Sequence, residues 1–134
     1  MIYKRWFLFV FSLAIVFLGG CGGGGTPKTW NYLVYMDGDN NLEQWGIFDL
    51  NEMEQVGSTS RLNVLVLFDR HPAYDTSNGN WTGTRLYLVT IDNNQNNINS
   101  TLLQDYGELD MSNPNTLRDS LFIANRITLP TGRF

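Results

Sequence analysis

The amino-acid sequence predicts an α/β domain in which helices cover a mostly parallel β-sheet. Two apolar and aromatic runs, residues 30–36 and 63–68, have the length of strands and no polar alternation, which is typical of strands buried on both faces. The segment between them, residues 41–56, carries apolar residues at near-helical spacing. A helix between two buried strands is the connection that a parallel pair requires.

The first strand is expected to end in the polar turn at residues 37–40, and the first helix to follow directly. Asn40 or Asn41 supplies the N-cap, and Glu43 lies in the first turn, where a negative charge is favourable. Gly57 ends the helix. One helix face is predicted to carry the apolar residues Leu42, Trp45, Met53 and Val56.

Three further segments complete the prediction. Residues 84–91 alternate in the manner of a third strand, and residues 92–100 form an Asn-rich turn. Residues 112–126 form a second helix with Ser112 or Asn113 as its cap and Leu117, Leu121 and Ala124 at helical spacing. Residues 128–134 should form a turn that leads into another strand. Three strands leave a buried-type sheet with an open edge, so we expect a truncated domain.

The N-terminal segment has the features of a secretion signal. Lys4 and Arg5 precede an apolar run at residues 6–18, and small residues then precede Cys21, the only cysteine. This arrangement resembles a bacterial lipoprotein signal, which implies lipidation of Cys21, attachment to a membrane and a location in the cell envelope. The alternative, an uncleaved membrane anchor, has an apolar run shorter than the roughly 20 residues that a spanning helix needs.

These features divide the chain into a signal peptide at residues 1–20, a lipidated cysteine with a Gly-rich linker at residues 21–29, and one domain at residues 30–134. The formal net charge is −4, which argues against a nucleic-acid partner. With one cysteine and one histidine in the chain, an internal disulfide and a Cys/His metal cluster are excluded.

Asp37, Asp39 and Asn41 follow the first predicted strand. Ligands bind at the carboxyl edge of open α/β sheets, so these residues are candidates for an active-site rim or an ion contact. They also match the first ligands of a calcium loop, but Leu42 and Phe48 stand where such a loop needs Gly and Glu. The alternative is a turn and a helix cap.

Other candidate groups have simple structural explanations. His71 has neither an available cysteine nor a second histidine as a partner for chemistry, and we expect a surface role. Asp69 and Arg70 at the end of the second strand could form an ion pair or lie near a site. The carboxylates of Asp105, Glu108 and Asp110 could act as a general acid and base, or could simply cap and solvate a loop.

Several of these segments together resemble the clostripain-like cysteine peptidases. The resemblance rests on residues 32–43, 49–54, 56–58, 63–70, 84–87 and 107–112. It implies a caspase-like layered α/β/α fold and cleavage of peptide bonds by a Cys–His dyad, typically after Arg or Lys. It also implies a polypeptide substrate for the complete domain and, for some members, a response to calcium. Neither His71 nor Cys21 lies in a matching motif, so no catalytic residue is assigned.

The sequence therefore predicts the N-terminal part of a secreted, lipid-anchored clostripain-like endopeptidase that lacks the dyad and is inactive alone. The metal content is left open, and calcium is the cofactor that the resemblance implies. The alternative from another class is a non-catalytic lipoprotein binding module on a caspase-like scaffold. A third hypothesis is a hydrolase that uses Asp37, Asp39 and Glu108.

Overall fold

The computed structural model describes residues 30–127. The predicted signal peptide at residues 1–20, Cys21 with the linker up to residue 29, and the tail at residues 128–134 lie outside the described residues.

The described chain folds into a four-stranded sheet and two helices, which confirms the predicted α/β class. The sheet order is β1-β2-β3-β4. The elements in chain order are β1 (Trp30–Gly38), α1 (Glu43–Glu54), β2 (Leu62–Arg70), β3 (Gly83–Leu88), β4 (Thr101–Gly107) and α2 (Pro114–Ala124).

The sheet is mixed rather than mostly parallel across the strands that the structure describes. β1 and β2 are parallel, from Trp30 opposite Leu62 to Gly38 opposite Arg70, while β2–β3 and β3–β4 are antiparallel. The physical reason is that only α1 serves as a crossover, and strands joined by loops without a helix can turn back directly. The prediction of a parallel core therefore holds only for β1 and β2.

β4 is a fourth strand where the sequence predicts only three. Six of its seven residues are exposed, so it contains no buried apolar run that would mark it in the sequence. It pairs with β3 along an irregular register, with shifts between Thr84 and Arg85 and between Leu86 and Tyr87. Edge strands are often irregular in this way.

The core lies on both faces of the sheet, as a layered α/β/α arrangement requires. Successive residues of β2 alternate between the two faces: Val66 and Phe68 pack with Ile47 and Leu50 of α1. Leu65 and Leu67 belong to the second cluster, with Ala124 at the end of α2. β2 is therefore the central element of the described core.

α1 buries a different face from the one that the apolar spacing predicts. Of the four apolar residues predicted for the buried face, Leu42, Trp45 and Val56 are exposed, while Met53 is partly buried and packs against the core. The buried residues of the helix are Glu43, Ile47, Leu50, Asn51 and Glu54. The prediction was wrong because three polar side chains on the buried face have partners inside the fold, which a hydrophobicity pattern cannot register.

The helix ends agree only in part with the predicted caps. Leu42 occupies the N-cap position of α1 and makes no side-chain cap, although Asn40 Oδ1 accepts the N–H of Leu42 at 2.9 Å. Asn113 caps α2 as predicted, since its side chain accepts the N–H of Asn115. On α2 only Ala124 is buried. Neither described helix is long and apolar enough to cross a membrane.

Candidate functional site

The carboxyl ends of three strands meet at one edge of the sheet and surround a pocket. β1 and β2 are parallel, and β4 runs in the same direction as β2 because two antiparallel pairings separate them. Asp37 lies opposite Asp69 in register, and Glu108 follows directly after β4. The pocket has a volume of about 310 Å³ and is lined by Asp37, Asp39, Asp69, Glu108, Leu109, Asp110, Met111 and Ser112. We call it the acidic pocket.

Within the acidic pocket, carboxylate oxygens of Asp39, Asp69 and Glu108 lie within 4.8 Å of one another. Calcium binds oxygen ligands at 2.3–2.6 Å, so oxygens around one ion can be separated by up to about 5 Å. The donor chemistry and the spacing therefore fit a calcium ion. These three residues differ from the group predicted from the sequence, which was Asp37, Asp39 and Asn41. Asp37 lines the pocket but is not one of the three converging carboxylates, and Asn41 is not among the described residues that line the pocket.

Asp69 is the most unusual group of the pocket. Its side chain is buried, at 2% exposure for the residue, and Oδ1 accepts a 2.7 Å hydrogen bond from the Thr84 hydroxyl. Burial raises the pKa of Asp69 to about 6, and the nearby carboxylates of Glu108, Asp39 and Asp37 add to the rise, while the Thr84 hydrogen bond opposes it. A cation in the pocket would compensate this buried charge.

Arg70 follows Asp69 but forms its ion pair elsewhere, which corrects the expected Asp69–Arg70 pair. Adjacent residues of a strand point to opposite faces, and the fully buried Arg70 donates through Nε to Oε1 of Glu43 at 2.6 Å. Oε2 of Glu43 accepts the N–H of Asp75 at 3.1 Å, and the Arg70 guanidinium donates to the Asp75 carbonyl. This network fixes the loop between β2 and β3.

Of the three carboxylates proposed from the sequence as a general acid and base, Glu108 and Asp110 share the acidic pocket and Asp105 lies outside its lining. Asp105 pairs with Arg85 at 2.8 Å, and the backbone N–H of Gly107 and this arginine lower its pKa. Glu108 and Asp110 line the pocket, but hydrogen bonds from Ser112 lower the pKa of Asp110. A general acid needs a raised pKa, so neither Asp105 nor Asp110 has the electrostatics of one.

His71 lies in the loop after β2, where its ring contacts the ring of Tyr74 at a tilt of 47°, with 4.3 Å between the centroids. Its Nδ1 accepts the N–H of Ala73 at 3.0 Å. These contacts are local, and within residues 30–127 no cysteine is present to form a dyad with this imidazole. The structure thus gives His71 a role in the loop and no nucleophile.

The sequence missed two components of the site. Thr84 hydrogen-bonds Asp69 from the neighbouring strand, and Glu43 neutralises Arg70 from α1. The partners are separated by 15 and 27 residues, and no local motif joins them. The sequence offers one signal for the role of Thr84: it is a polar residue at the start of a predicted strand, and Asp69 is a carboxylate at the end of the preceding one.

Comparison with known proteins agrees with the sequence resemblance. No curated protein matches the chain. The sequence model of the clostripain family matches residues 34–126, a range that contains β1 from Val34 onward, the rest of the sheet, both helices and the acidic pocket. The mixed sheet with a helix on each face is also consistent with a truncated caspase-like domain. Since the match spans more than half of its 134 residues, the chain belongs to the clostripain family.

Proposed function

We propose that this chain is the N-terminal part of a secreted, lipid-anchored clostripain-like cysteine endopeptidase, and that it lacks the Cys–His dyad and is inactive alone. Its family supports the cysteine-peptidase class. In such an enzyme a thiolate attacks the peptide carbonyl after an imidazole has taken its proton. Neither His71, which contacts Tyr74 in its loop, nor Cys21, beside the Gly-rich stretch, lies in a motif that matches the family's catalytic residues.

The acidic pocket is the observation on which we base the proposal of a cation-binding site. Five carboxylates line a cavity at the sheet edge where α/β folds bind ligands, and one of them, Asp69, is buried. Such a pocket favours a cation, and no described Lys or Arg is among its lining residues. We propose that it receives either the basic side chain of a polypeptide substrate or a calcium ion, the two cations that the family resemblance implies.

Titration calorimetry on the full chain, purified in detergent, distinguishes the two cations. Calcium chloride and argininamide are titrated separately, and we expect one of them to bind. Asp39→Asn, Asp69→Asn and Glu108→Gln should each weaken that binding about tenfold or more, because each removes a charged ligand. Asp119→Asn is the matched control, since Asp119 is exposed on α2 and pairs with Arg118. Failure of wild type to bind either cation would refute the proposed pocket function.

The lipid anchor is tested separately. We propose that Cys21 carries a diacylglycerol group, because it closes the predicted signal peptide and precedes a Gly-rich linker. Lipoproteins carry more than one acyl chain, which is enough for stable membrane attachment. Mass spectrometry of the membrane fraction should show a processed chain with modified Cys21. An intact signal segment, or a soluble chain with unmodified Cys21, would rule out the anchor without affecting the family assignment.

A further inference from the structure

Thr84 lies between two segments that line the acidic pocket: the end of β2, which carries Asp69, and the residues after β4, which include Glu108. The residue is fully buried in β3, where it lies opposite Asp69 of β2 and opposite Gly107 of β4. Its hydroxyl donates to Oδ1 of Asp69 at 2.7 Å and accepts the backbone N–H of Leu109 at 3.2 Å. One oxygen atom therefore joins the end of β2 to the segment that follows β4.

The backbone around Thr84 brings these two segments close together. Gly83 has a φ of +76°, and a Cβ at this position would lie 2.9 Å from the carbonyl carbon and oxygen of Gly107. The start of β3 thus packs directly on the end of β4. Glu108 lies between Gly107 and Leu109 in the sequence. The packing of Gly83 on Gly107 and the hydrogen bond from the Leu109 N–H to Thr84 therefore fix the backbone on both sides of Glu108.

Glu108 has little else to hold it. Its side chain is exposed, and none of its contacts within residues 30–127 is an ion pair. Mutual repulsion between Asp69 and Glu108 would separate them, since like charges at this distance destabilise each other. The bridge through Thr84 opposes this separation while the pocket is empty, which lowers the cost of assembling the ligands around a cation.

We propose that Thr84 is a positioning residue of the acidic pocket: its hydroxyl holds Asp69 and the Glu108 segment together so that their oxygens converge on one cation. The inference rests on the proposed function of the pocket. A hydroxyl donates and accepts at the same time, which valine, of the same shape, cannot do and serine can. The hydroxyl, and not the shape of the side chain, is therefore the property to test.

The test is calorimetry on the full chain in detergent, with whichever of calcium chloride and argininamide wild type binds. Thr84→Val should weaken binding about tenfold or more, because two hydrogen bonds are lost and buried partners are left unsatisfied. Thr84→Ser should bind within about threefold of wild type, as the hydroxyl is kept. Thr101→Val, an exposed position on β4, is the matched control and should bind as wild type.

Two calorimetric outcomes would overturn the proposal. One is wild-type affinity in a folded Thr84→Val protein. The other is equal weakening in Thr84→Val and Thr84→Ser, which would show that keeping the hydroxyl does not preserve binding.

Hydrogen exchange at the amide of Leu109 tests the bridge without any cation and without a variant. In wild type this amide should exchange at least about tenfold more slowly than an unbonded amide of the same sequence context, since its N–H donates a hydrogen bond to the buried Thr84 hydroxyl. Exchange at the unprotected rate would overturn the proposal even if Thr84→Val failed to fold. If wild type binds neither cation, the pocket function fails, while Leu109 exchange still decides whether Thr84 forms the bridge.

Discussion

At the scale of single residues, Glu43 and Asp69 are both buried carboxylates with opposite electrostatic surroundings. Glu43 receives the guanidinium of Arg70 and the N–H of Asp75, so its charge is compensated. Among the described residues Asp69 receives a hydrogen bond from the neutral Thr84 hydroxyl and has no cationic partner, so burial, together with the neighbouring acids, raises its pKa to about 6. The first carboxylate stabilises the fold, and the second is left available to a ligand.

The ion pair between Glu43 and Arg70 should be the most sensitive polar contact of the described fold. Both side chains are fully buried, so Arg70→Met leaves an uncompensated charge inside the protein. We expect it to lower the free energy of unfolding by about 3–5 kcal/mol, measured by urea denaturation. Arg118→Ala, which breaks an exposed pair on α2, should cost less than about 1 kcal/mol. Equal effects of the two substitutions would contradict this account.

Asp69 should make stability depend on pH. Its pKa rises from 3.8 to about 6 on folding, so between these values the folded protein binds more protons than the unfolded chain. The free energy of unfolding should therefore fall as the pH rises through this window. Asp69→Asn keeps an acceptor for Thr84 and should raise stability at pH 7 by about 1–2 kcal/mol while removing the fall. Denaturation of wild type and Asp69→Asn at several pH values is the measurement, and identical pH profiles would contradict the prediction.

At the scale of elements, the buried face of α1 could not be identified from its apolar residues, because it includes polar side chains. Trp45 is 57% exposed, whereas Leu50 is completely buried in the cluster that contains Val66 and Phe68 of β2. We expect Leu50→Ala to destabilise the protein by about 2–5 kcal/mol through loss of burial and cavity formation. Trp45→Gln should change stability by about 0.5 kcal/mol or less. If thermal or urea unfolding showed a larger loss of stability for Trp45→Gln than for Leu50→Ala, the buried face predicted from the apolar spacing would be the correct one.

The strands show which part of the fold the sequence could predict. β1 and β2 were predicted from their continuous apolar runs, whereas β4 is exposed and has no such pattern. Only β2 is buried as its run predicts, and β1 is half-buried to exposed along most of its length. The candidate site follows the same division. Asp37 and Asp39 were found by their place after β1, but the convergence of Asp69 and Glu108 depends on pairing between β2, β3 and β4. Such long-range pairing leaves no local signal.

At the scale of the whole molecule, the two outer strands of the described sheet differ. β1 pairs with β2 on one side, and it has nine residues with exposed Trp30 and Tyr32 and no Lys or Pro. β4 carries the register shifts that discourage pairing with another chain. Association of chains should therefore begin at β1. In light scattering, Tyr32→Lys should reduce self-association of the full chain in detergent, while Gln104→Lys on β4 should not. Equal effects at both edges would contradict this assignment.

This clostripain-family chain has the acidic pocket, and we propose that it lacks a working dyad. The most direct measurement is hydrolysis of Arg- and Lys-containing peptides by the purified full chain, with and without calcium. We expect no cleavage above the rate in buffer, because His71 is engaged in its loop and no cysteine lies among the described residues to serve as its nucleophile. Cleavage that His71→Ala abolishes would contradict it and would place the active site at the loop between β2 and β3.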